Sequence, residues 1–309
     1  MEHYDVVIIG GGPAGLTAGL YAARARLKSL LIEKGLVGGQ MVNAERVENY
    51  PGFPEGISGY ELGQLIHQQA TKHGLETLTA EVTGLKDEPR VVETTEGNFT
   101  AKAVIIAGGS ERQKLGVPGE KEFTGRGVSY CATCDAAFFK ALPVAVVGGG
   151  NAAITEALHL AKIASGVTVI HRRDQLRAGP ILQEKASAEP KIKFRLSYMV
   201  ESIEGQDFVQ GIRLRQVETG KPSTLKVAGV FIAIGLRPST DYLKGILPLD
   251  ANGFIITDEK TETKIPGIFA AGDIRHNSAR QVITAAGDGA TAAFYADRFI
   301  TNQPAKPAG

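Results

Sequence analysis

Two glycine-rich loops occur in this 309-residue chain, and each follows an apolar run. The first is Gly10–Gly15 and the second is Gly148–Ala153, which begins 138 positions later. The same spacing separates Glu33 from His171, so the two copies stay in register beyond the loops. A G-x-G-x-x-G/A loop between a strand and a helix places backbone amides against a dinucleotide pyrophosphate. The sequence therefore predicts an α/β fold with two Rossmann-like dinucleotide-binding domains.

The first copy has the flanking pattern that this fingerprint requires. Asp5–Ile9 predicts a buried parallel strand, Leu16–Arg26 a helix and Leu30–Ile32 the next strand, which ends at Glu33. An acid at this position accepts hydrogen bonds from ribose hydroxyls, which favours FAD or NAD.

The second copy carries a basic cluster where the first carries Glu33. His171-Arg172-Arg173 stands at that position, and Arg177 follows one turn later. A charge run of this kind is often no more than a solvated face. Its register with Glu33 favours recognition of a 2′-phosphate instead, as in NADPH.

A third element is predicted to complete the first site. Lys264–Ile274 indicates a strand closed by Gly272-Asp273, and a helix is expected from about Gln281. The first domain is therefore interrupted. We expect an FAD-binding domain at 1–112 and 242–309, and an inserted NADPH-binding domain at 113–241. Linker composition occurs at Leu115–Gly119 and Gly235–Ser239.

The chain has two cysteines, and both lie in one C-x-x-C, Cys131 and Cys134. A structural zinc site would need further ligands at suitable spacing, so no metal is expected. The pair could also be a structural disulfide or two inert thiols, and a redox pair is favoured over both. If a helix begins at Asp135–Lys140, both sulfurs lie near its N-terminus, where thiol pKa values fall. Asp135 is either a helix-start residue or a proton donor to the dithiol.

Charge and the N-terminal sequence limit the cellular setting. Lys and Arg number 34 against 33 Asp and Glu, which argues against a nucleic-acid or membrane-surface protein. The first ten residues lack the basic and apolar regions of a signal peptide. We expect a soluble, cytoplasmic protein.

Several motifs together closely resemble the low-molecular-weight thioredoxin reductases. They are C-A-T-C-D at Cys131–Asp135, V-I-H-R-R-D-Q-L-R-A at Val169–Ala178, F-A-A-G-D at Phe269–Asp273, A-R-Q-V-I-T-A-A-G at Ala279–Gly287, G-G-Q at Gly38–Gln40 and V-E-N-Y-P-G-F at Val47–Phe53. The resemblance covers nearly the whole chain. It implies a homodimeric enzyme that passes electrons from NADPH to FAD, then to the disulfide, then to thioredoxin or a thioredoxin-like protein.

The resemblance also implies roles for individual residues. Cys134 faces the flavin, Cys131 attacks the partner disulfide and Asp135 is the acid. The residues expected around FAD are Gly10, Gly12, Pro13, Ala14, Gly15, Glu33, Lys34, Gly39, Gln40, Asn49, Val82, Ala107, Gly108, Gly272, Asp273, Arg280, Gln281 and Val282. Those expected around NADPH are Gly148, Gly150, Asn151, Ala152, Ala153, His171, Arg172, Arg173 and Arg177.

Three positions depart from the family pattern. Ala136 stands where glycine is usual, Gly108 follows Ala107 where threonine is usual, and Thr155 replaces the first of two glutamates. Two related activities also fit the pattern: a flavin-dependent dithiol oxidase that uses oxygen, and the reductase component of a peroxide-scavenging system.

Overall fold

The computed structural model describes residues 2–44 and 46–302, so residues 1, 45 and 303–309 lie outside the described part. The chain divides into two compact units. The first unit comprises Met1–Glu111 with Arg237–Gly309, and the second comprises Arg112–Leu236. The boundaries expected from the sequence, after 112 and after 241, lie within a few residues of this division. The linker composition at Leu115–Gly119 falls inside the second unit.

The described residues form seventeen strands and six α-helices. The strands are β1 (Glu2–Ile9), β2 (Ser29–Glu33), β3 (Glu76–Thr79), β4 (Val82–Lys86), β5 (Val91–Thr94), β6 (Gly97–Ile106), β7 (Ser110–Arg112), β8 (Val128–Ser129), β9 (Pro143–Val147), β10 (Gly166–His171), β11 (Ile192–Leu196), β12 (Tyr198–Gly205), β13 (Val209–Gln216), β14 (Pro222–Lys226), β15 (Gly229–Ile232), β16 (Leu236–Pro238) and β17 (Ile268–Ala270). The helices are α1 (Pro13–Arg24), α2 (Gly59–Thr71), α3 (Ala132–Asp135), α4 (Asn151–Ala161), α5 (Pro180–Ala188) and α6 (Val282–Thr301).

The first unit is built on one large sheet in the order β3-β2-β1-β6-β5-β4, with β17 also paired to β6. The pairs among β3, β2, β1, β6 and β17 are parallel, whereas β4, β5 and β6 pair antiparallel. The apolar residues of β1 alternate between two cores: Val6 and Ile8 pack with α1 and α6, and Val7 and Ile9 pack on the opposite face. This period-two division is what a central strand covered on both faces requires.

The second unit repeats that plan on a smaller scale. Its parallel sheet has the order β11-β10-β9-β15-β8, and β12, β13 and β14 form a separate antiparallel sheet. Val144 and Val146 of β9 pack in one core with α4, while Ala145 and Val147 pack in another with residues of β12 and β13. Both units thus place a glycine loop at the carboxyl end of a central parallel strand, the usual ligand position in open α/β sheets.

Several predicted elements have different bounds in the structure. The first helix begins at Pro13 rather than Leu16, because proline suits the first helical position. The strand predicted from Lys264 begins only at Ile268. Pro266 has no N–H to donate, and Gly267 has a left-handed φ of 80°, so the chain turns before it pairs. No described helix is long and apolar enough to cross a bilayer.

Candidate functional site

The first glycine loop requires its glycines for close backbone packing. A Cβ on Gly10, whose φ is 104°, would lie 2.5 Å from the Ala107 carbonyl oxygen. A Cβ on Gly15 would lie 1.8 Å from the Gly10 oxygen. Gly12 is the N-cap of α1, and no side chain caps that helix end. The first-turn amides of α1 are therefore left for a ligand, and an anion is the ligand that a helix N-terminus favours.

Glu33 holds this loop in place. Its Oε2 accepts a hydrogen bond from Gly11 N at 2.7 Å, and its Oε1 accepts one from Gly35 N at 2.9 Å. A Cβ on Gly11 would lie 3.0 Å from Glu33 Cβ, so the loop residue and the strand end are in direct contact. The acid predicted to bind ribose therefore also has a structural function.

The segment around Gly39 meets the same loop. Gly39 has a φ of 59°, and a Cβ there would lie 2.9 Å from Gly12 Cα. Gln40 follows it in a short 3₁₀ helix, Gly39–Asn43. Asn49 Nδ2 donates to Gln281 Oε1 at 3.0 Å, which joins two predicted FAD residues that are 232 positions apart.

The predicted third element is fixed by two residues that the sequence did not single out. Arg275 binds Asp288 through two nitrogens, Nε to Oδ2 at 2.6 Å and Nη2 to Oδ1 at 2.8 Å. Gly272 N donates to the same Oδ2 at 3.1 Å. Asp273 in turn accepts from Ser278 Oγ at 3.0 Å. The turn that presents Asp273 is thus anchored to α6 by a bidentate ion pair.

The remaining predicted FAD residues lie in the first unit at these places. Pro13 is the first residue of α1. Ala14 lies against Gly272, because a Cβ added to Gly272 would be 2.9 Å from Ala14 Cβ. Val282 is the first residue of α6, after the N-cap Gln281. Arg280 has a φ of 59° and lies over the Phe254 ring. A Cβ on Gly108 would lie 3.4 Å from Ile274 Cδ1. The Lys34 side chain is exposed, and Val82 is the first residue of β4.

The second glycine loop has the same construction. Gly148 has a φ of 149°, and a Cβ there would lie 2.3 Å from the Ala233 oxygen. Gly150 is the N-cap of α4, again with no side-chain cap. Asn151 Oδ1 accepts from Gly179 N at 2.8 Å, so the first residue of α4 holds a neighbouring loop. Ala152 is exposed, while Ala153 is buried against the loop.

His171 and the arginines surround the end of β10. A Cβ on Gly149 would lie 2.5 Å from the His171 ring, which is buried. Its Nε2 is buried with no hydrogen-bond partner in the described structure. Burial and the charges of Arg177, Arg173 and Arg172 lower the pKa of His171. Arg177 N donates to the Gly149 oxygen at 2.6 Å, which ties the cationic segment to the glycine loop. An orphaned ring nitrogen among three cationic side chains fits a phosphate.

Cys131 and Cys134 form a disulfide in the second unit. The helix considered above for Asp135–Lys140 begins earlier in the chain, at Ala132. The α-helix is Ala132–Asp135, only four residues, and the chain continues as a 3₁₀ turn over Ala136–Phe139. Cys131 is the N-cap of this short helix. Four aligned peptide units give only a small macrodipole, so this helix end offers little electrostatic stabilisation to a thiolate.

Asp135 is tied to the disulfide segment by Ser129, another residue that the sequence did not single out. Ser129 Oγ donates to Asp135 Oδ2 at 2.6 Å and accepts from Cys131 N at 3.1 Å. Burial raises the pKa of Asp135, whereas the hydrogen bond from Ser129 and the charge of Arg112 act in the opposite direction. A carboxyl group with a raised pKa is suited to hold and release a proton.

Glu156 on α4 is another acid of this unit, and it is partly buried. Its Oε2 is buried and has no hydrogen-bond partner among the described residues. Burial raises its pKa to about 7, against the opposing charge of Arg112. Glu156 is the glutamate that follows Thr155, and nothing in its local sequence indicates that its carboxyl group is buried.

The chain is similar to known proteins over nearly its whole length. Residues 4–289 match the family model described as pyridine nucleotide-disulphide oxidoreductase. The thioredoxin reductase of Bacillus subtilis is 47% identical over 300 residues, which cover 96% of this chain and 95% of that one. The chain belongs to the thioredoxin reductases of this family. That of Listeria monocytogenes is 46% identical over 96% of this chain and 94% of its own.

The thioredoxin reductase structure from Streptococcus pyogenes superposes with a TM-score of 0.93 at 44% identity, over 97% of this chain and 99% of that chain. Thioredoxin reductases of this family use FAD and NADPH, and these are accordingly the cofactors of the chain. The described residues fit both groups. Each unit has an uncapped helix N-terminus behind a glycine loop, and the second alone adds the His171 and arginine cluster.

Proposed function

We propose that the chain passes electrons from NADPH through FAD to the Cys131–Cys134 disulfide, and from there to the disulfide of thioredoxin or a thioredoxin-like protein. The observation that carries the proposal is this disulfide, with Asp135 held beside it by Ser129, in a chain with two dinucleotide loops. FAD, when bound, supplies the two-electron transfer that connects a hydride donor to a disulfide.

The resemblance and the geometry of the two glycine loops support the following residue roles. In the first, the Gly10–Gly15 loop and the α1 N-terminus hold the FAD pyrophosphate, and Glu33 and Asp273 hold its hydroxyl groups. Lys34, Gln40, Asn49, Val82 and Arg280 to Val282 line that site in our proposal. In the second, the Gly148–Ala153 loop holds the NADPH pyrophosphate and His171, Arg172, Arg173 and Arg177 hold the 2′-phosphate. An acid favours a nucleotide with free ribose hydroxyl groups, and cations favour one with a 2′-phosphate, so the two loops select different nucleotides.

The disulfide chemistry uses Cys131, Cys134 and Asp135. Reduction of the disulfide consumes two electrons and two protons and breaks the S–S bond. Asp135 supplies a proton to the sulfur of Cys134, since its raised pKa lets it hold one. The Cys131 thiol then loses its proton, and its thiolate attacks the partner disulfide and forms a mixed disulfide. The first partner thiolate is released and takes up a proton. Cys134 loses its proton and attacks Cys131 Sγ, which restores the internal disulfide and releases the second partner thiolate, which is protonated in turn.

The test compares Cys134→Ser with Cys131→Ser in FAD-loaded protein given NADPH and thioredoxin. We expect Cys134→Ser to trap a mixed disulfide through Cys131, because no second thiol can resolve it. Cys131→Ser should trap none, although NADPH should still bleach its flavin. Non-reducing electrophoresis and mass spectrometry identify the trapped species.

Three other results would change the proposal. Trapping in Cys131→Ser alone would reverse the two roles, and full thioredoxin reduction by either variant would place the redox centre elsewhere. Oxygen consumption with a small dithiol, together with no NADPH-driven thioredoxin reduction, would identify a dithiol oxidase. A homodimer and a cytoplasmic location remain predictions, which light scattering and cell fractionation can test.

A further inference from the structure

Glu120 is a buried acid that the mechanism above does not use. Its side chain is 4% exposed, although it carries a carboxylate. Burial of a carboxylate is unfavourable unless hydrogen bonds replace its water, so the partners of Glu120 indicate why an acid stands here.

Glu120 joins two separate segments of the second unit. Oε1 accepts from Leu115 N at 3.0 Å and from the Tyr130 hydroxyl at 2.8 Å, and Oε2 accepts from Gly116 N at 2.7 Å. Thr124 Oγ1 donates to the Glu120 carbonyl oxygen at 2.8 Å. We call Glu120, Leu115, Gly116 and Tyr130 the Glu120 network.

The Glu120 network ends at the residue before Cys131. Tyr130 is only partly buried, and its ring packs against the core that contains Phe123 and Val128. Burial and the hydrogen bond to Glu120 raise the pKa of the Tyr130 hydroxyl, which therefore remains a donor. On the other side, Cys131 N donates to Ser129 Oγ. The backbone that carries the first cysteine is thus held both by Ser129 and by Glu120 through Tyr130.

We propose that Glu120 and Tyr130 are positioning residues of the disulfide. Their hydrogen bond restrains the backbone at Cys131 in the arrangement that the closed disulfide requires. A segment that is already ordered loses less conformational entropy when the S–S bond forms, so the restraint favours the disulfide over the dithiol. The inference rests on the proposed function, in which this disulfide is the redox centre.

The test measures the disulfide equilibrium in FAD-loaded, full-length protein against glutathione. In this exchange the internal disulfide and two glutathione thiols give the dithiol and one oxidised glutathione, so atoms and electrons balance. Alkylation at equilibrium followed by mass spectrometry reports the fraction reduced. We expect Tyr130→Phe to shift the equilibrium about tenfold toward the dithiol, which corresponds to about 30 mV for a two-electron couple.

Tyr4→Phe is the matched control. The Tyr4 hydroxyl also donates to a carboxylate, Glu76 Oε2 at 2.8 Å, but it lies in the first unit. The Tyr4→Phe substitution should therefore leave the disulfide equilibrium unchanged. A shift below twofold in Tyr130→Phe would overturn the inference. An equal shift in Tyr4→Phe would also overturn it, because a general loss of stability would then explain both variants.

A double-mutant cycle adds an independent measurement. Glu120→Leu removes both acceptor oxygens at a similar side-chain volume and should shift the equilibrium in the same direction. Tyr130→Phe should then add little in the Glu120→Leu background, because their shared hydrogen bond is already lost. Fully additive shifts would contradict the inference. If Glu120→Leu does not fold, Tyr130→Phe decides alone, since it removes a single hydroxyl group.

Failure of this inference is distinguishable from failure of the proposed function. The same wild-type protein is treated anaerobically with NADPH, and its Cys131–Cys134 disulfide is assayed. No reduction by NADPH would contradict the proposed electron path, whatever Tyr130→Phe does. Reduction in the wild type with no shift in Tyr130→Phe would overturn only the positioning role.

Discussion

The two glycine loops occupy equivalent places in their units but have different residues at the end of the strand that follows. In both, the middle glycine contacts that strand-end residue: Gly11 meets Glu33, and Gly149 meets the His171 ring. Both loops share this contact with the strand-end residue, whereas the type of side chain at the strand end differs. The strand-end residue therefore both packs under the loop and sets the charge that a nucleotide meets.

The consequence differs between the units. Both oxygens of Glu33 accept backbone hydrogen bonds, so the first loop is held by its own acid. His171 instead has a buried Nε2 without a partner in the described structure, and Arg172 and Arg173 beside it are exposed. The first unit presents a preorganised loop with an acid beside it, and the second presents a cluster of arginines that attracts a phosphate.

The largest expected effect comes from the third position of the fingerprint, Gly15 in one copy and Ala153 in the other. In Gly15→Ala the new Cβ would overlap the Gly10 carbonyl, so the loop must open. We expect FAD affinity to fall by more than about 100-fold, since even small misplacement of a binding loop is costly. Flavin absorbance per chain after dialysis measures it.

The reciprocal change serves as the control for that comparison. Ala153→Gly fits the backbone and should cost only about 1 kcal/mol of helix stability, with FAD content unchanged. Comparable flavin loss in both variants would show that the two loops do not differ as described.

Glu156 provides the second contrast, because the register places buried Ala18 of the first unit at the equivalent position. The folded protein holds the Glu156 proton up to about pH 7, whereas the unfolded chain loses it near 4.5. The ionisation of Glu156 therefore lowers the free energy of unfolding progressively as pH rises from 4.5 to 7, and this penalty reaches its full size above pH 7. Glu156→Gln should stabilise the protein by at most about 3 kcal/mol at pH 8 and by little at pH 5.

Thermal unfolding of the FAD-loaded variants at both pH values measures this effect. Glu184→Gln, at an exposed position on α5, is the control and should change neither melting temperature. An equal gain for Glu156→Gln at pH 5 and pH 8 would mean that ionisation is not the cause.

The smallest expected effect concerns the arginines. Arg172→Ala with Arg173→Ala removes charge-assisted hydrogen bonds to the 2′-phosphate, so KM for NADPH should rise about tenfold or more. KM for NADH should change little. Steady-state kinetics with both nucleotides measure the ratio of the two KM values. The control is Lys193→Ala with Lys226→Ala, which removes the same charge from exposed sites elsewhere in the second unit. Equal loss for both nucleotides in the arginine variant would place the 2′-phosphate elsewhere.

The sequence was sufficient for features that depend on local pattern. Glycine spacing and apolar runs predicted the strands and helices that flank the two loops, because a buried parallel strand and a tight strand-to-helix turn each leave a signature within about ten residues. The short α3 was not predictable from its residues, since no repeat of apolar positions fits into four residues. The late start of β17 follows from Pro266-Gly267, a signal that was present in the sequence.

The contacts that complete the candidate site are of another kind. Ser129 reaches Asp135 across a turn, Asp288 reaches Arg275 from α6, and Glu120 reaches Tyr130 from a preceding loop. Each is a polar side chain whose sequence context is that of an ordinary surface residue. Burial and long-range folding decide their partners, so a single sequence contains no local sign of them.

The discontinuity of the first unit has a consequence for biosynthesis. β17 pairs with β6, and α6 packs so closely on α1 that a Cβ on Gly289 would lie 2.0 Å from the Ala14 oxygen. The ribosome makes all of Arg112–Leu236 before either late element emerges. The inserted unit, whose chain is continuous, can therefore finish folding first, while Met1–Glu111 waits with part of one edge of β6 unpaired and one side of α1 exposed. During translation the earliest residues are thus the last to be completed, and this interval is when the nascent protein is most open to aggregation.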